Sequence, residues 1–203
     1  SPSSLYATSL GVTQWVNGGS ATAGTYWGLT SNKTVKGWNM DTGKTPSNGN
    51  GSTTGPNDGV DMTNGSNGSN NKYLYTETSS SRHTYCFVVR MPPLNASSSM
   101  YSTSNDLDLK FWFHAYSVIT GHMGDLYVYI HDQAAANHSS ATLLASYVNP
   151  QSFFSSSSNN WQQRTISLNN YRNSTDYYIY FVAQNGSSFR SDFALDGIQI
   201  IES

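Results

Sequence analysis

From residue 72 onward, apolar side chains fall at every second position in short runs separated by Ser, Asn and Gly, the mark of strands with one buried face. KYLYTET (72–78) alternates, and TYCFVVRM (84–91) follows it across the turn-like SSSRH, which predicts a hairpin. DLDLKFWFHAYSV (106–118) places Leu107, Leu109, Phe111, Phe113 and Ala115 on one face. GDLYVYIHD (124–132) does the same with Leu126, Val128 and Ile130, and the short connector between these two runs predicts antiparallel neighbours. WQQRTISL (161–168), DYYIYFVAQNG (176–186) and SDFALDGIQII (191–201) are further strands, with ATLLASYV (141–148) a weaker one. MPPLNASSSMYSTSND (91–106) is a crossover, because its paired prolines cannot donate to a ladder. Before residue 41 the pattern is fainter: LYATSL, VTQWV, TYWGL and KGWNM are short strand candidates. No segment has a helical period beyond a single turn at DQAAANHSS (132–140). The chain is therefore read as all-β, with about ten strands in two packed sheets, since that is how each strand buries one face.

The other face of the strong strands carries rings. If Leu126, Val128 and Ile130 point inward, Tyr127 and Tyr129 point out, and the same parity sends Tyr178, Tyr180, Trp112, His114 and Tyr116 outward. Side by side, such rings would suit the faces of sugars or the apolar patch of a partner protein. Tyrosine is also a good strand former that pairs across strands, which accounts for the same residues without a ligand.

Two stretches break the alternation. Residues 41–71, DTGKTPSNGNGSTTGPNDGVDMTNGSNGSNN, offer almost nothing to bury, and a loop of this length inside a compact domain is normally functional or disordered. A cation would order it, with Asp58 and Asp61 as loop ligands; a loose Gly/Asn linker is the other reading. The second break is Asp192 and Asp196, which flank Phe193 and Leu195. An acid among apolar strand positions calls for a partner. A cation or a dense set of backbone donors at a strand junction would serve Asp196; alternatively both acids lie in solvated loops.

Composition narrows the function classes. Charged residues are 11% of the chain, against roughly 25% in ordinary soluble domains, so the polar surface is built from Ser, Thr, Asn and Gly, as in secreted β-proteins. A net charge of -2 with ten basic residues provides no phosphate-binding surface, which argues against nucleic acid. No run approaches the roughly 18 to 20 apolar residues of a membrane helix, and no leader is visible. The 203 residues suit one domain, 1–203. Cys86 is the single cysteine and reads as a small buried hydrophobe. Eight Asn-x-Ser/Thr sequons, at Asn32, Asn50, Asn64, Asn67, Asn95, Asn137, Asn173 and Asn185, mark a glycoprotein only in a eukaryotic source. Catalytic patterns are thin: Glu77, Asp106, Asp108 and Asp125 are the candidates for a glycosidase pair. The histidines have no zinc spacing, and no GxSxG is present.

WNMDTGKTPSNGNGSTTGPNDGVD, KYLYTETSS, FWFHAYSVITGHMGDLYVYIHD and YYIYFVAQNGSSFRSDFALDGIQI, in that order, resemble the MAM domain, a β-sandwich module of extracellular and cell-surface proteins. The resemblance covers about residues 36 to 200 and implies a jelly-roll β-sandwich of two antiparallel sheets with an adhesive or recognition role and no catalysis. It also implies a structural calcium ion, held between Asp196 and the loop acids Asp58 or Asp61, with Asp41 as a further candidate. The chain departs from the family pattern in three places: Cys86 has no partner, the phenylalanine-glutamate start is absent, and Gly197 stands where a second acid is common. The expected setting is secreted or at the cell surface, with an extracellular protein, a glycan or a second copy as partner. A carbohydrate-binding module attached to a secreted polysaccharide-active enzyme is the alternative.

Overall fold

The computed structural model describes residues 16–17, 34–48, 53–68, 70–78, 85–94, 104–155, 160–172 and 175–203. The expected strands LYATSL and TYWGL lie outside them, and of VTQWV only its last residue is described, within β1 (Val16–Asn17). The other strands are β2 (Thr34–Lys36), β3 (Asn39–Thr42), β4 (Lys72–Tyr75), β5 (Tyr85–Arg90) and β6 (Leu107–Ala115). They are followed by β7 (Asp125–His131), β8 (Thr142–Tyr147), β9 (Gln162–Ser167), β10 (Tyr178–Gln184) and β11 (Phe193–Glu202). The helical content of the described residues is three single 3-10 turns, at Pro46–Asn48, Pro150–Phe153 and Asn169–Tyr171.

The strands form two sheets. The first has the order β1-β5-β10-β7-β8, with β2 also on β5; the second has the order β3-β4-β11-β6-β9. Described pairings are antiparallel except β2 on β5. This is an all-β jelly-roll sandwich of two antiparallel sheets. Its core is the set of inward positions that the alternation marks. Leu107, Leu109, Phe111, Phe113 and Ala115 of β6 meet Leu126, Val128 and Ile130 of β7 and Ile179, Phe181 and Ala183 of β10, all at 1% exposure or less.

Two expected pairings are corrected. KYLYTET and TYCFVVRM do not form a hairpin: β4 belongs to the second sheet and β5 to the first. Likewise β6 and β7 are not neighbours but face each other across the core. The reason is common to both. Alternation determines which side of a strand is apolar, and two apolar sides can meet within one sheet or across the gap between two. The expected strand KGWNM is also divided, its first residue ending β2 in one sheet and its last two in β3 of the other. Trp38, at the crossing, fills the core at 1% exposure.

Candidate functional site

Of the tract 41–71, residues 41–42 end β3, and the described remainder packs against the outer face of the second sheet. Its middle is a small hairpin: Val60 bridges Asn67, the Asp61 N–H donates to the Ser66 carbonyl at 2.7 Å, and the Gly68 N–H to the Gly59 carbonyl at 2.6 Å. Val60 is a deeply buried aliphatic anchor, packed with Tyr73 and Tyr75 of β4, Ala194 of β11 and Trp161. The Trp161 indole N–H donates to the Asp58 carbonyl at 3.2 Å, and its backbone N–H to Gly65 at 2.7 Å. With so little apolar surface, the tract is held mainly by polar stitching.

Carboxylates share that stitching with amides and hydroxyls such as Asn48, which donates to the Gly55 and Pro56 carbonyls, and Thr45, which donates to the Thr54 carbonyl. Asp58 accepts N–H groups from Gly43 at 3.1 Å and Gly59 at 2.9 Å on Oδ1, and from Asn70 at 2.7 Å on Oδ2. Asp61 accepts from Thr63 at 2.8 Å, and Asp41 from Thr42 at 2.7 Å. Asp196 joins tract and sheet: Oδ2 accepts the Val60 N–H at 3.0 Å and Oδ1 the Gly197 N–H at 2.7 Å. Burial pushes the Asp196 carboxyl above its ordinary range, the two N–H groups oppose that shift, and the Asp58 charge adds to it. Two backbone donors thus meet the Asp196 carboxylate, one on each oxygen. Among the described residues, no three His, Cys, Asp or Glu side chains are gathered as a metal cluster.

Asp192 is fully buried rather than solvated. Thr78 supplies it an N–H at 3.1 Å and a hydroxyl at 2.6 Å, yet burial, with the nearby Glu77 charge, pushes its carboxyl up to about 7.

Beside Asp196 the sheet opens. β11 pairs with β4 only at Ala194–Tyr75 and Leu195–Leu74, and between Asp196 and Gln199 a bulge shifts its register on β6. Gly197 takes φ +56° there; a side chain at that position would press into the Trp112 ring. The outcome is a cleft of about 510 Å³ between the tract, β4 and β11. Ile198 and Met62 give it apolar surface over the buried Leu74 and Leu195, while Asp61, Asp196, Asn71, Lys72 and Gln199 line it with polar groups. Sequence reasoning missed Asn71, Lys72 and Gln199. The available signal was Asp196-Gly197 between two apolar pairs, a pattern that fits a bulge.

The outward rings do not form one platform. Tyr127, Tyr129, Tyr178 and Tyr180 share the outer face of the first sheet, where Tyr129 pairs with Tyr180 in register. That face is covered: exposure is 6% at Tyr129, 7% at Tyr178 and 4% at Tyr180, and the Tyr180 hydroxyl meets the Gln133 and Ala134 carbonyls at 2.9 and 2.8 Å. The Arg90 guanidinium stacks 4.7 Å from the centre of the Tyr178 ring. Tyr127 is half-buried, and burial beside Asp125, to which it donates, pushes its hydroxyl up to about 12. Trp112 and His114 lie on the other sheet. Trp112 is half-buried under Gly65 and Gly197, and half-buried Tyr116 packs on the main core. His114 has no exposed surface, lies against Phe154 and Trp161, and has a hydrogen-bond partner at neither ring nitrogen. Burial pulls its pKa down to about 3. Parity gave the direction of these side chains except Tyr116, which lies past the end of β6 and packs on the main core, and exposure depended on what packs over each sheet.

Together the jelly roll and its stitched outer tract define a β-sandwich module. The profile of the family described as MAM domain, meprin/A5/mu, matches residues 20–203, and the chain belongs to that family. Among solved structures, it is similar to the K1 cleaved adhesin domain of Lys-gingipain from Porphyromonas gingivalis W83. That match has 17% identity, covers 82% of this chain and 84% of that one, and has a TM-score of 0.48. A Stig cyclase, Fisc, from Fischerella sp. TAU matches at 13% identity over 93% of this chain and 84% of its own, with a TM-score of 0.48. The secreted serine protease VesC from Vibrio cholerae matches at 17% identity and a TM-score of 0.39 over 64% of this chain, which spans only 21% of VesC. No described helix is long and apolar enough to cross a membrane.

Proposed function

We propose that this chain is an extracellular recognition domain of the adhesive kind, secreted or displayed at a cell surface, whose partner is a protein or a glycan. Membership of the MAM family carries this reading. The low charge of the chain accords with it, because a surface of Ser, Thr and Asn suits contact through hydrogen bonds more than through charge steering. Calcium belongs to the proposal as a structural ion. Asp196 uses one hydrogen bond on each oxygen and keeps a lone pair on each; Asp58 lies within electrostatic reach, and Asp61 lines the same cleft. Calcium takes six to eight oxygens and accepts carbonyls and water, so two or three acids suffice. Asp41, stitched to Thr42 on β3, is the most peripheral of the four.

Melting curves in EDTA and in calcium test the ion. An ion bound only by the native state raises the melting temperature, by about 2.7 kcal/mol of stability at a hundredfold excess over its dissociation constant. Identical curves would remove calcium from the reading. Retention of the labelled domain on cell surfaces, extracellular proteins or polysaccharides tests recognition itself, and sedimentation over a concentration series tests self-association.

A further inference from the structure

We propose that the cleft between β4 and β11 is a saccharide site that takes a neutral pyranose or a short neutral glycan. The inference rests on the recognition reading and names the ligand class and the place. The first ground is size and shape. A volume of about 510 Å³ lies within the roughly 300 to 1,000 Å³ of small-ligand pockets. It exists because the β4–β11 ladder ends after two pairs, at Leu74–Leu195, where the bulge at Asp196–Gln199 begins.

The second ground is the chemistry of the walls. A pyranose has an apolar C–H face and a rim of hydroxyls that both donate and accept. Ile198 and the half-exposed Met62 offer apolar surface to the face. Apart from the acids offered to calcium, the polar groups supply both halves of the rim's demand: Lys72 donates only, and the Asn71 and Gln199 amides donate and accept. A cationic ligand would meet Lys72 on the same wall, and an anionic one would meet Asp61 and Asp196.

The third ground is preorganisation. The Val60 and Gly197 N–H groups hold the Asp196 carboxylate, and the Asn71 amide is oriented by donating to the Val60 carbonyl at 2.9 Å. Groups already oriented before the ligand arrives cost less to order on binding.

The test uses the ¹⁵N-labelled chain titrated with glucose, galactose, mannose, N-acetylglucosamine and their β-linked disaccharides, reading the amide shifts of Val60, Gly197 and Gln199. Each titration is run in calcium and again in EDTA. The expected result is saturable shifts confined to the cleft, present in both buffers, with affinity about tenfold weaker in Gln199→Ala, the loss of roughly one buried hydrogen bond. Met62→Trp, at a half-exposed lining position, fills the cleft and abolishes the shifts without disturbing the core. Absence of saturable shifts with every sugar overturns the proposal. Shifts centred on Tyr127 and Tyr178 overturn it in favour of the opposite face, and binding lost in EDTA overturns direct recognition in favour of hydroxyls held by a metal. Shifts produced by lysine amide instead of the sugars overturn it in favour of a cationic partner. None of these results removes the recognition reading, which fails separately if the domain is retained on no cell surface, extracellular protein or polysaccharide.

Discussion

The two outer faces of the sandwich solve the same problem with opposite chemistry. Each sheet carries rings on its outward side, and each is covered by a connecting segment. On the first sheet, the residues after β7 lie over Tyr129, Tyr178 and Tyr180, and the cover is held by a tyrosine hydroxyl on two carbonyls and by a guanidinium over a ring. On the second, the tract 41–71 has scarcely any apolar side chains, and Asp58 and Asp196 bind its backbone directly. A cover with alanines to set against the rings can be short, because the buried aromatic area supplies the energy. A glycine- and asparagine-rich cover must be ordered by charge-assisted hydrogen bonds. Only the second solution places carboxylates at a split in the sheet, so the cleft lies on that face.

The contrast can be broken by substitution, and the largest effect belongs to the residue where the tract meets its sheet. Trp161→Ala should destabilise the fold by about 3–5 kcal/mol in denaturant titration, since it removes a 2%-exposed indole and its bonds to Asp58 and Gly65. Asp58→Ala should cost about 2–3 kcal/mol by leaving the Gly43, Gly59 and Asn70 N–H groups without their acceptor, and should speed amide exchange in residues 57–68 ahead of the core. On the opposite face, Tyr180→Phe should cost only about 1 kcal/mol, because the ring stays buried and the hydroxyl alone is lost. If Asp58→Ala proves no more harmful than Tyr180→Phe, the distinction between the two faces collapses.

The smallest effect at neutral pH is the most diagnostic in acid. The His114 pKa is lowered in the folded state, so its contribution is complete above about 6.5 and is lost as pH falls toward about 3. Asp192 has the opposite sign: its folded pKa is raised, so the stability it confers when protonated is complete below 3.8 and is lost as pH rises to about 7. His114→Phe removes two unpartnered ring nitrogens from among Phe154 and Trp161 and should be neutral or stabilising at pH 7. It should also abolish the histidine's share of the acid-induced loss, measured by chemical denaturation from pH 4 to pH 7. An unchanged pH profile would contradict the burial of His114.

What could be read from the sequence follows the same division. Periodicity identified the inward residues of β6, β7, β10 and β11 because burial of one face imposes it directly. It did not identify neighbours, since Leu107 to Ala115 and Leu126 to Ile130 present the same pattern whether their strands lie side by side or face to face. Asp196 was legible as an acid needing a partner, yet that partner is the backbone of Val60, a group every residue carries and no side chain advertises. Exposure of the rings was illegible for a related reason. Tyr180 is covered by the carbonyls of Gln133 and Ala134, and Trp112 by Gly65 and Gly197, none of which identifies itself as a lid.

The central claim is that Asp196 ties the tract to β11 and thereby shapes the cleft. The most direct measurement is a pH titration of the Val60 and Gly197 amide resonances. The two amides should titrate together, with one midpoint above the ordinary carboxylate range, because both donate to the same half-buried carboxyl. A Val60 amide that exchanges at free-loop rates and is indifferent to that titration would contradict the account.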